Sequence, residues 1–524
     1  MRWLAALLLE ALVLVRRPHR VSGEAASAPE RPEGSLRVLL SSIPFSPVHP
    51  IIELAKELSK RGHDVQVASL SSVQEKVERA GLAFVNLGEG ASEAQVAEKA
   101  RASVHGASSL KVWGPVFEEM SARMSDSLDN LFASSAAASA SLPDVYVTTV
   151  LTSPTMEVAS KYSIPVMVSQ CELALAPRHN TMPYSVPVGS SVPYVGATIM
   201  QRLRKLWAAF SWHFIVPVRG YPLTVIHPKY TDGVLKMIHS VPGIDYPFHA
   251  QPLIQYTGPL LRNDSTQLSR LEPSLLEWLD ASDLPVVYVS LGTVFGIDET
   301  TGPILFEGLV NQSEWRVLWA LKARDWRYLP SHEDSPNLRI LPWVPTPAAL
   351  SHPRVKAFFS HCGANGLHES LHIGKPIIGM PFIGDQPDNC LRVQRAGAAV
   401  CLNVASLTAQ GIQQSISEVI SNLSYRDTAM KLSRISHTYG GVKRAADLVE
   451  LVAFLRGDTL QLQTVADREG FISAFALDFI AAGFMLAFIS GIACSACCRM
   501  VCDLLLRRRG RRHDDTAEKK QKRA

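Results

Sequence analysis

The sequence predicts an α/β protein with two parallel-sheet domains and an appended segment at each end. Strand-like apolar runs alternate with helical patterns along the chain, and this alternation is typical of parallel sheets. The length of 524 residues is too great for one ordinary hydrophobic core. Hydrophobic residues at 47% and charged residues at 19% describe a globular protein with some membrane character.

The first predicted domain opens with a strand, a loop and a helix. Residues 36–42 form the apolar strand, and residues 50–60 follow as a helix with Pro50 at its first position. Gly62 ends this helix, and further strands are predicted at residues 64–68, 143–149 and 164–168. The chain is expected to cross to the second domain near residues 245–263.

The second predicted domain contains the most informative stretch of the chain, residues 343–386. The sheet of this domain is expected to begin at residues 284–286, and its first strand leads into the turn Gly292-Thr293. The informative stretch itself is interpreted as a strand at residues 355–360, a glycine-rich turn, a helix, a second strand and a polar turn. Its glycine-rich turn runs His361-Cys362-Gly363-Ala364-Asn365-Gly366.

These residue types at these spacings suit an anionic ligand that carries a base and hydroxyl groups. A glycine-rich turn that opens a helix leaves backbone N–H groups unpaired at the positive end of the helix dipole, which favours a phosphate. His361 can add a hydrogen bond or a positive charge, Asp385-Gln386 can bind hydroxyls, and Trp343 offers a stacking face. Taken singly, Trp343 could equally be a core residue, His361 a capping residue and Asp385 a turn residue.

Taken together, these 44 residues closely resemble the donor-binding signature of the UDP-glycosyltransferases, the superfamily that contains the UDP-glucuronosyltransferases. A looser resemblance extends over almost the whole chain. It implies a GT-B fold, in which two Rossmann-like domains face a cleft and the C-terminal domain holds most of the nucleotide sugar. Residues 172–221 are interpreted either as acceptor pocket and membrane-contacting surface or as an irregular insertion.

The resemblance also implies a role for each matching position. Trp343 would stack on the uracil, Glu369 would bind the ribose, and Asp385 with Gln386 would hold the transferred sugar. The diphosphate would lie against Thr293, His361, Asn365 and Gly366, and Val344 and Gly363 would also belong to the donor site. One position departs from the signature, because the family often has glutamine three residues after the tryptophan and this chain has Thr346.

The catalytic half departs further from the family. Inverting transfer to an alcohol needs a base that takes the acceptor's proton, and in the family this base is a histidine oriented by an aspartate. The corresponding positions here are Pro47 and Thr149, neither of which can do this. His49 lies two residues further on and is the candidate base; the alternative is an ordinary histidine at a helix start.

Both ends of the chain carry targeting features. Residues 1–23 are interpreted as a signal peptide, with an uncleaved anchor as the alternative. Residues 24–256 and 257–470 are assigned to the two domains, residues 471–498 to a transmembrane helix, and residues 499–524 to a basic cytosolic tail. A buried core helix is the alternative for the span. Lys520 and Lys522 fit a retrieval signal of the endoplasmic reticulum, so a type I membrane protein with lumenal catalytic domains is expected.

No metal, cofactor or nucleic acid is expected. The net charge of +4 comes from the tail, where ten basic residues face four acidic ones, and the remainder is slightly acidic. No Asp-x-Asp motif or His and Cys cluster with metal-ligand spacing occurs in the predicted lumenal part. Four cysteines of this part, Cys171, Cys362, Cys390 and Cys401, are expected to be buried thiols.

The resulting expectation is an inverting, metal-independent enzyme that moves glucose or glucuronate from a UDP-sugar to a small lipophilic acceptor. The alternative is a UDP-sugar-binding membrane protein with impaired catalysis and a regulatory or oligomerisation role. Homo-oligomerisation is left open by the sequence. The donor signature is common to both hypotheses, and only the region around Pro47, His49 and Thr149 distinguishes them.

Overall fold

The computed structural model describes residues 34–45, 47–91, 95–96, 98–99, 109–138, 141–152, 154–171, 198–200, 203, 233–245, 252–261, 267–292, 296–310, 312–330, 335–463, 481 and 483–502. The expected signal peptide, most of the segment 172–221, Thr293 and the tail beyond residue 502 lie outside these residues. Ala26–Leu462 form one compact unit, and a second unit comprises Met1–Ala25 and Gln463–Ala524.

The first sheet is parallel throughout, and its strands lie in the order β3-β2-β1-β4-β5-β6-β7. Its strands are β1 (Arg37–Ser41), β2 (Asp64–Ser69), β3 (Ala83–Asn86), β4 (Val145–Thr149), β5 (Val166–Gln170), β6 (Leu235–Ile238) and β7 (Ile254–Tyr256). The strand order reverses between β1 and β4. Loops that leave these two strands therefore diverge and open a crevice at the carboxyl edge of the sheet.

The second sheet repeats this arrangement, in the order β10-β9-β8-β11-β12-β13. Its strands are β8 (Val286–Ser290), β9 (Arg316–Ala320), β10 (Leu338–Leu341), β11 (Val355–Ser360), β12 (Ile377–Gly379) and β13 (Ala399–Cys401). Here the order reverses between β8 and β11. The predicted class of two Rossmann-like domains is confirmed by this pair of sheets.

Twelve α-helices cover the two sheets among the described residues of Ala26–Leu462. They are α1 (Val48–Lys60), α2 (Gln74–Arg79), α3 (Ser109–Ala137), α4 (Pro154–Lys161), α5 (Pro273–Asp280), α6 (Thr301–Val310), α7 (Thr346–Ser351), α8 (Ala364–Ile373), α9 (Gln386–Ala396), α10 (Ala409–Ser421), α11 (Leu423–His437) and α12 (Gly441–Phe454). The predicted order of strand, turn, helix, strand and turn over residues 355–386 is present.

Helix α1 begins two residues earlier than predicted. Val48 is its first residue, Pro47 its N-cap, and Pro50 is the third helical residue rather than the first. Proline is tolerated there because the N–H groups of the first turn have no partner within a helix. His49 therefore lies in the first turn of a helix and not in a loop.

The last helix of the compact unit crosses back to the first sheet. Leu448, Val449 and Val452 of α12 are buried in the same hydrophobic cluster as Val38 of β1 and Val147 of β4. A second cluster, which includes Met124 and Phe132 of α3, covers the opposite face of this sheet. The first sheet is thus covered on both faces, as parallel sheets require. Helix α12, near the end of the compact unit, contributes to the cover of one face.

Outside the compact unit, Gly483–Cys502 form a helix of 20 residues with a mean hydropathy of 1.8. This length and composition are sufficient to cross the hydrocarbon core of a membrane. The helix overlaps the predicted transmembrane segment.

Candidate functional site

The candidate site lies at the carboxyl edge of the second sheet, where the strand order reverses. Gly292 follows β8, and His361 follows the neighbouring strand β11. In open α/β sheets this position is where ligands bind, because the two loops diverge there.

His361 fits between two glycines. A Cβ atom at Gly292 would lie 2.6 Å from the Cε1 and Nε2 atoms of the imidazole, and one at Gly363 would lie 2.4 Å from Nε2. Gly292 also has a φ of +81°, which favours glycine. Burial lowers the pKa of His361 to about 4. Of the two contributions predicted for this residue, the structure favours a neutral hydrogen-bonding group at pH 7.

The turn after His361 presents the start of α8. No side chain caps this helix, whose N-cap is Gly363. Cys362 adopts a left-handed conformation with a φ of 60°, which is unfavourable for a non-glycine residue. Its N–H donates to Ser360 Oγ at 3.1 Å, and its carbonyl accepts from Asn389 Nδ2 at 3.0 Å. These two bonds hold the turn in its strained shape, and a helix N-terminus without a side-chain cap is able to bind an anion.

An exposed aromatic ring lies on one side of this turn. Trp343 is 71% exposed, while Val344 beside it is buried. The hydroxyl of Tyr288 donates to the carbonyl of Val344 at 3.4 Å and lies 3.1 Å from Thr346 Oγ1. Thr346, at the position where the family often has glutamine, is thus bound to Tyr288. An exposed tryptophan on an anchored backbone can serve as a stacking surface.

Glu369, in the second turn of α8, has a strongly perturbed carboxyl group. Burial raises its pKa to about 8, so the free protein carries it largely protonated at pH 7. Its charge in turn raises the pKa of Tyr288, after the larger effect of burial and against the hydrogen bonds of that phenol. Glu369 therefore lies near Tyr288, whose hydroxyl is bonded to Val344 and Thr346 next to Trp343.

A polar pair lies at the start of α9, on the other side of the turn. Asp385 is the N-cap of this helix, and its Oδ2 atom accepts a hydrogen bond from Asn389 Nδ2 at 2.6 Å. Burial raises the pKa of Asp385, against the hydrogen bond from Asn389. Gln386 uses its Oε1 atom to accept from the N–H groups of Phe382 and Ile383, at 2.9 and 3.2 Å. Its amide nitrogen is the group that can donate to a ligand.

Two further predicted residues lie on the first turns of α8. Asn365 Oδ1 is 3.4 Å from the Sγ atom of Cys171, which follows β5 of the first sheet. A Cβ atom at Gly366 would make ordinary contacts of 3.4 and 3.6 Å with the ring of Phe358. The first contact brings the carboxyl edges of the two sheets together at the candidate site.

The expectation of four buried thiols is wrong. Cys390 of α9 and Cys401 of β13 form a disulfide with a Cα–Cα distance of 6.0 Å, and Cys171 is partly exposed. Cys362 is a buried free thiol, as predicted. The chain turn at Gly397, which has a φ of +85°, brings the two bonded cysteines together. The disulfide ties the helix that begins at Asp385 to the edge of the second sheet.

The corresponding edge of the first sheet contains hydroxyl groups. Thr149 Oγ1 lies 3.2 Å from Thr152 Oγ1, which lies 2.7 Å from Thr148 Oγ1. Thr148 Oγ1 is 2.9 Å from Ser41 Oγ, which also bonds to the Tyr146 hydroxyl. All of these side chains are buried. A neutral hydroxyl cluster therefore joins the ends of β1 and β4, where the family resemblance implies a His and Asp pair.

His49 faces a cation. Its Nε2 atom is 2.6 Å from the Nζ atom of Lys76 in α2. Although the residue is exposed, desolvation of the imidazole and then the charge of Lys76 lower the pKa of His49 to about 3. Desolvation lowers the pKa of Lys76 to about 8. A base in this state accepts a proton poorly, because its imidazole is desolvated and because Lys76 lies against it.

No group of three or more His, Cys, Asp or Glu side chains in the described part of the chain could hold a metal ion. The independence from metal stays a prediction, as does the role of Thr293, which lies outside the described residues.

Two parallel sheets of this topology, with a glycine-rich turn at the switch point of the second, define the GT-B class of glycosyltransferase folds. Solved structures agree. A UDP-glucosyltransferase from Polygonum tinctorium superposes with a TM-score of 0.59 at 19% identity, covering 80% of this chain and 98% of that one. The Os79 protein of O. sativa, in a variant crystallised with UDP, superposes with a TM-score of 0.60 at 19% identity, covering 80% and 99%.

Residues 122–512 match the family described as "UDP-glucoronosyl and UDP-glucosyl transferase", and the chain belongs to this family. Among curated relatives, UDP-glucuronosyltransferase 2C1 of Oryctolagus cuniculus is 31% identical over 268 residues, which are 50% of this chain and 51% of the relative. UDP-glucuronosyltransferase 2A3 of Cavia porcellus is 34% identical over 218 residues, which are 41% of this chain and 39% of the relative. The matches cover between 37% and 62% of the length of these and other curated relatives.

Proposed function

We propose that the protein is an inverting glycosyltransferase that moves a sugar, glucose or glucuronate, from a UDP donor to a small lipophilic acceptor. The observation that carries this proposal is the order of groups along one sheet edge. The stacking face of Trp343 comes first, then the His361 turn with the uncapped start of α8, then Asp385 with Gln386. Base, diphosphate and sugar follow each other in the same order along a UDP-sugar.

In the proposed complex, Trp343 stacks on the uracil while Val344 supports the ring, and Glu369 binds the ribose. The diphosphate accepts hydrogen bonds from the N–H groups of the turn that includes Gly363, Asn365 and Gly366, from His361, and from Thr293. Asp385 accepts from a sugar hydroxyl, and the Gln386 amide nitrogen donates to another. The helix N-terminus offsets phosphate charge through fixed N–H dipoles, which is consistent with a metal-independent mechanism.

In the transfer step the acceptor's oxygen or nitrogen attacks C1 of the sugar from the face opposite the diphosphate. The bond between C1 and the diphosphate oxygen breaks, and UDP leaves with the electron pair. The acceptor's proton goes to a base or to water. His49 is the candidate base, but Lys76 occupies its Nε2 atom. We therefore propose a preference for nitrogen nucleophiles and acidic phenols, which depend less on a positioned base than alcohols do.

We further propose that the compact unit is lumenal and that Gly483–Cys502 cross the membrane of the endoplasmic reticulum. The disulfide between Cys390 and Cys401 supports this location, because disulfides persist in oxidising compartments. Protease added to sealed microsomes should remove only a tag placed at the C-terminus. Digestion of the main body without detergent would show the opposite orientation.

The decisive experiment incubates the full-length chain in detergent with UDP-glucose, UDP-glucuronate and other UDP-sugars against a panel of lipophilic alcohols, phenols and amines. Mass spectrometry of the products identifies donor and acceptor together. The Asp385→Ala variant is the matched control, because it should lose transfer while remaining folded. Binding of UDP without turnover of any UDP-sugar and acceptor pair would refute the proposed activity.

A further inference from the structure

The carboxylate proposed to bind the sugar is connected to the first domain by a series of buried, hydrogen-bonded side chains. Asp385 Oδ2 accepts a hydrogen bond from Asn389 Nδ2, and the Oδ1 atom of Asn389 accepts one from the guanidinium of Arg392. Arg392 Nη1 lies 2.7 Å from Asp245 Oδ1. Asp245 follows β6 of the first sheet, whereas the other three residues lie at α9 of the second.

The chemistry of these groups allows only one arrangement of the Asn389 amide. A guanidinium donates and never accepts, so it must face the amide oxygen. Asn389 Nδ2 then donates one hydrogen to Asp385 Oδ2 at 2.6 Å and the other to the carbonyl of Cys362 at 3.0 Å. Asn389 therefore fixes the carboxylate of Asp385. The Cys362 carbonyl anchors the other hydrogen of the amide, and the turn that contains it is held separately by the bond from the Cys362 N–H to Ser360 Oγ. Asp385 Oδ1 remains to accept from a sugar hydroxyl.

The end of this series is a buried ion pair. The side chains of Arg392 and Asp245 are 8% and 1% exposed. Removing one partner of such a pair leaves the other charge buried and uncompensated. Because Arg392 is also bonded to Asn389 Oδ1, a shift of the guanidinium after the loss of Asp245 is passed to Asp385 through the amide.

We propose that Asp245 is a positioning residue for the donor sugar, which it orients through Arg392, Asn389 and Asp385. The proposal rests on the function proposed above. It makes the sugar subsite dependent on both domains, although the nucleotide subsite is built from the second domain alone. Loss of Asp245 should therefore weaken sugar recognition while leaving nucleotide recognition intact.

The test compares the dissociation constants of UDP-glucuronate, UDP-glucose and UDP for the full-length chain by calorimetry without acceptor. Asp245→Asn removes the charge and keeps the shape of the side chain. It should lower the affinity for the sugar nucleotide that the wild type prefers by roughly 10-fold, which corresponds to the loss of one charged hydrogen bond. UDP affinity should change by less than about 2-fold, because Asp245 shares no bonding partner, among the described residues, with the groups proposed to bind UDP. Arg392→Lys keeps the ion pair but loses the fork that reaches Asn389, and it should give the same pattern.

A double-mutant cycle separates positioning from general stability. In an Asp385→Asn background, Asp245→Asn should have almost no further effect on sugar affinity, because both changes act on the same contact. Ser240→Ala is the matched control. It removes a 2.9 Å contact between the same segment and His368 of α8, a contact that does not reach Asp385. The ratio of UDP-sugar to UDP affinity should stay unchanged in this variant.

Equal losses of UDP and UDP-sugar affinity in Asp245→Asn, or additive effects in the cycle, would overturn the positioning role. If the wild type showed no preference for any UDP-sugar over UDP, the proposed function would be at fault instead. The cycle can then be measured from urea unfolding, which needs no substrate. If the changes in unfolding free energy caused by Asp245→Asn and Asp385→Asn were additive, the proposed connection between the two residues would also be refuted.

Discussion

The fit of His361 between two glycines predicts a specific steric defect. In Gly363→Ala the new methyl group would lie 2.4 Å from the imidazole Nε2 atom. An ordinary contact is about 3.4 Å, so the ring must move by about 1 Å if the backbone of the turn stays in place. The backbone itself tolerates alanine, because Gly363 has a φ of −62° and a ψ of 141°.

Displacing the ring should remove its hydrogen bond to the diphosphate. A hydrogen bond to a charged group contributes about 1.5–3 kcal/mol. UDP affinity should therefore fall roughly 10- to 100-fold, since each 1.4 kcal/mol is a factor of ten. Overpacking should also cost about 1–3 kcal/mol of unfolding free energy. Titration calorimetry with UDP and urea unfolding of the full-length chain measure the two effects separately.

Two further variants test whether the imidazole ring causes the loss of UDP affinity. In a His361→Ala background the Gly363→Ala change should cost less than about 2-fold in UDP affinity, because the ring is already absent. Gly366→Ala keeps its N–H group and meets only ordinary contacts with Phe358, so it should change affinity by less than about 3-fold. Wild-type affinity in Gly363→Ala, or penalties that add in the double variant, would show that the imidazole does not bind the diphosphate.

Three further predictions concern the remaining subsites. Trp343→Ala should weaken the binding of UDP by about 1–3 kcal/mol, the range for a lost base-stacking partner. Asp385→Ala should instead abolish transfer and leave UDP affinity nearly intact. Equal losses of UDP affinity in the two variants would contradict this division. UDP binding near pH 7 should release a fraction of a proton and strengthen as pH rises toward 8, because Glu369 has a pKa of about 8 in the free protein and its ionised form accepts from the ribose hydroxyls more strongly than its protonated form. Calorimetry in buffers of different ionisation enthalpy measures this release, and its persistence in Glu369→Gln would assign it to another group. His49→Ala should slow transfer to aliphatic alcohols about 100-fold and to amines much less, and Lys76→Met should speed alcohol transfer; full activity of His49→Ala on alcohols would exclude His49 as the base.

The donor half of the site could be predicted because its signal is local. Trp343, His361, Glu369 and Asp385 lie within 44 consecutive residues, and the chain folds them as strand, turn and helix. Parallel strands bring such turns to one edge, so sequence order alone places the groups. Strand β11 has the same bounds as its predicted counterpart, and the fold class is confirmed.

The remainder depends on contacts between distant parts of the chain. Ser41 meets Thr148 across 107 positions, and Asp245 meets Arg392 across 147. Hydrophobic periodicity shows which residues are buried but not which buried polar groups will meet. The spacing of Asn389 four residues after Asp385 was a local signal for the sugar side, because residues at that spacing are neighbours on a helix.

The same distance affects the order in which the chain can fold. Helix α12 is the last of the compact unit, yet Leu448 and Val452 complete a core that begins at Val38. When only the first sheet has left the ribosome, the face that α12 later covers is still exposed. The first domain is therefore completed only after almost the whole chain has been synthesised. The predicted membrane span follows soon after α12, and completion of the first domain therefore falls close to the moment at which the chain is anchored. Truncations that end before Gly441 should yield an aggregating fragment rather than an isolated acceptor domain.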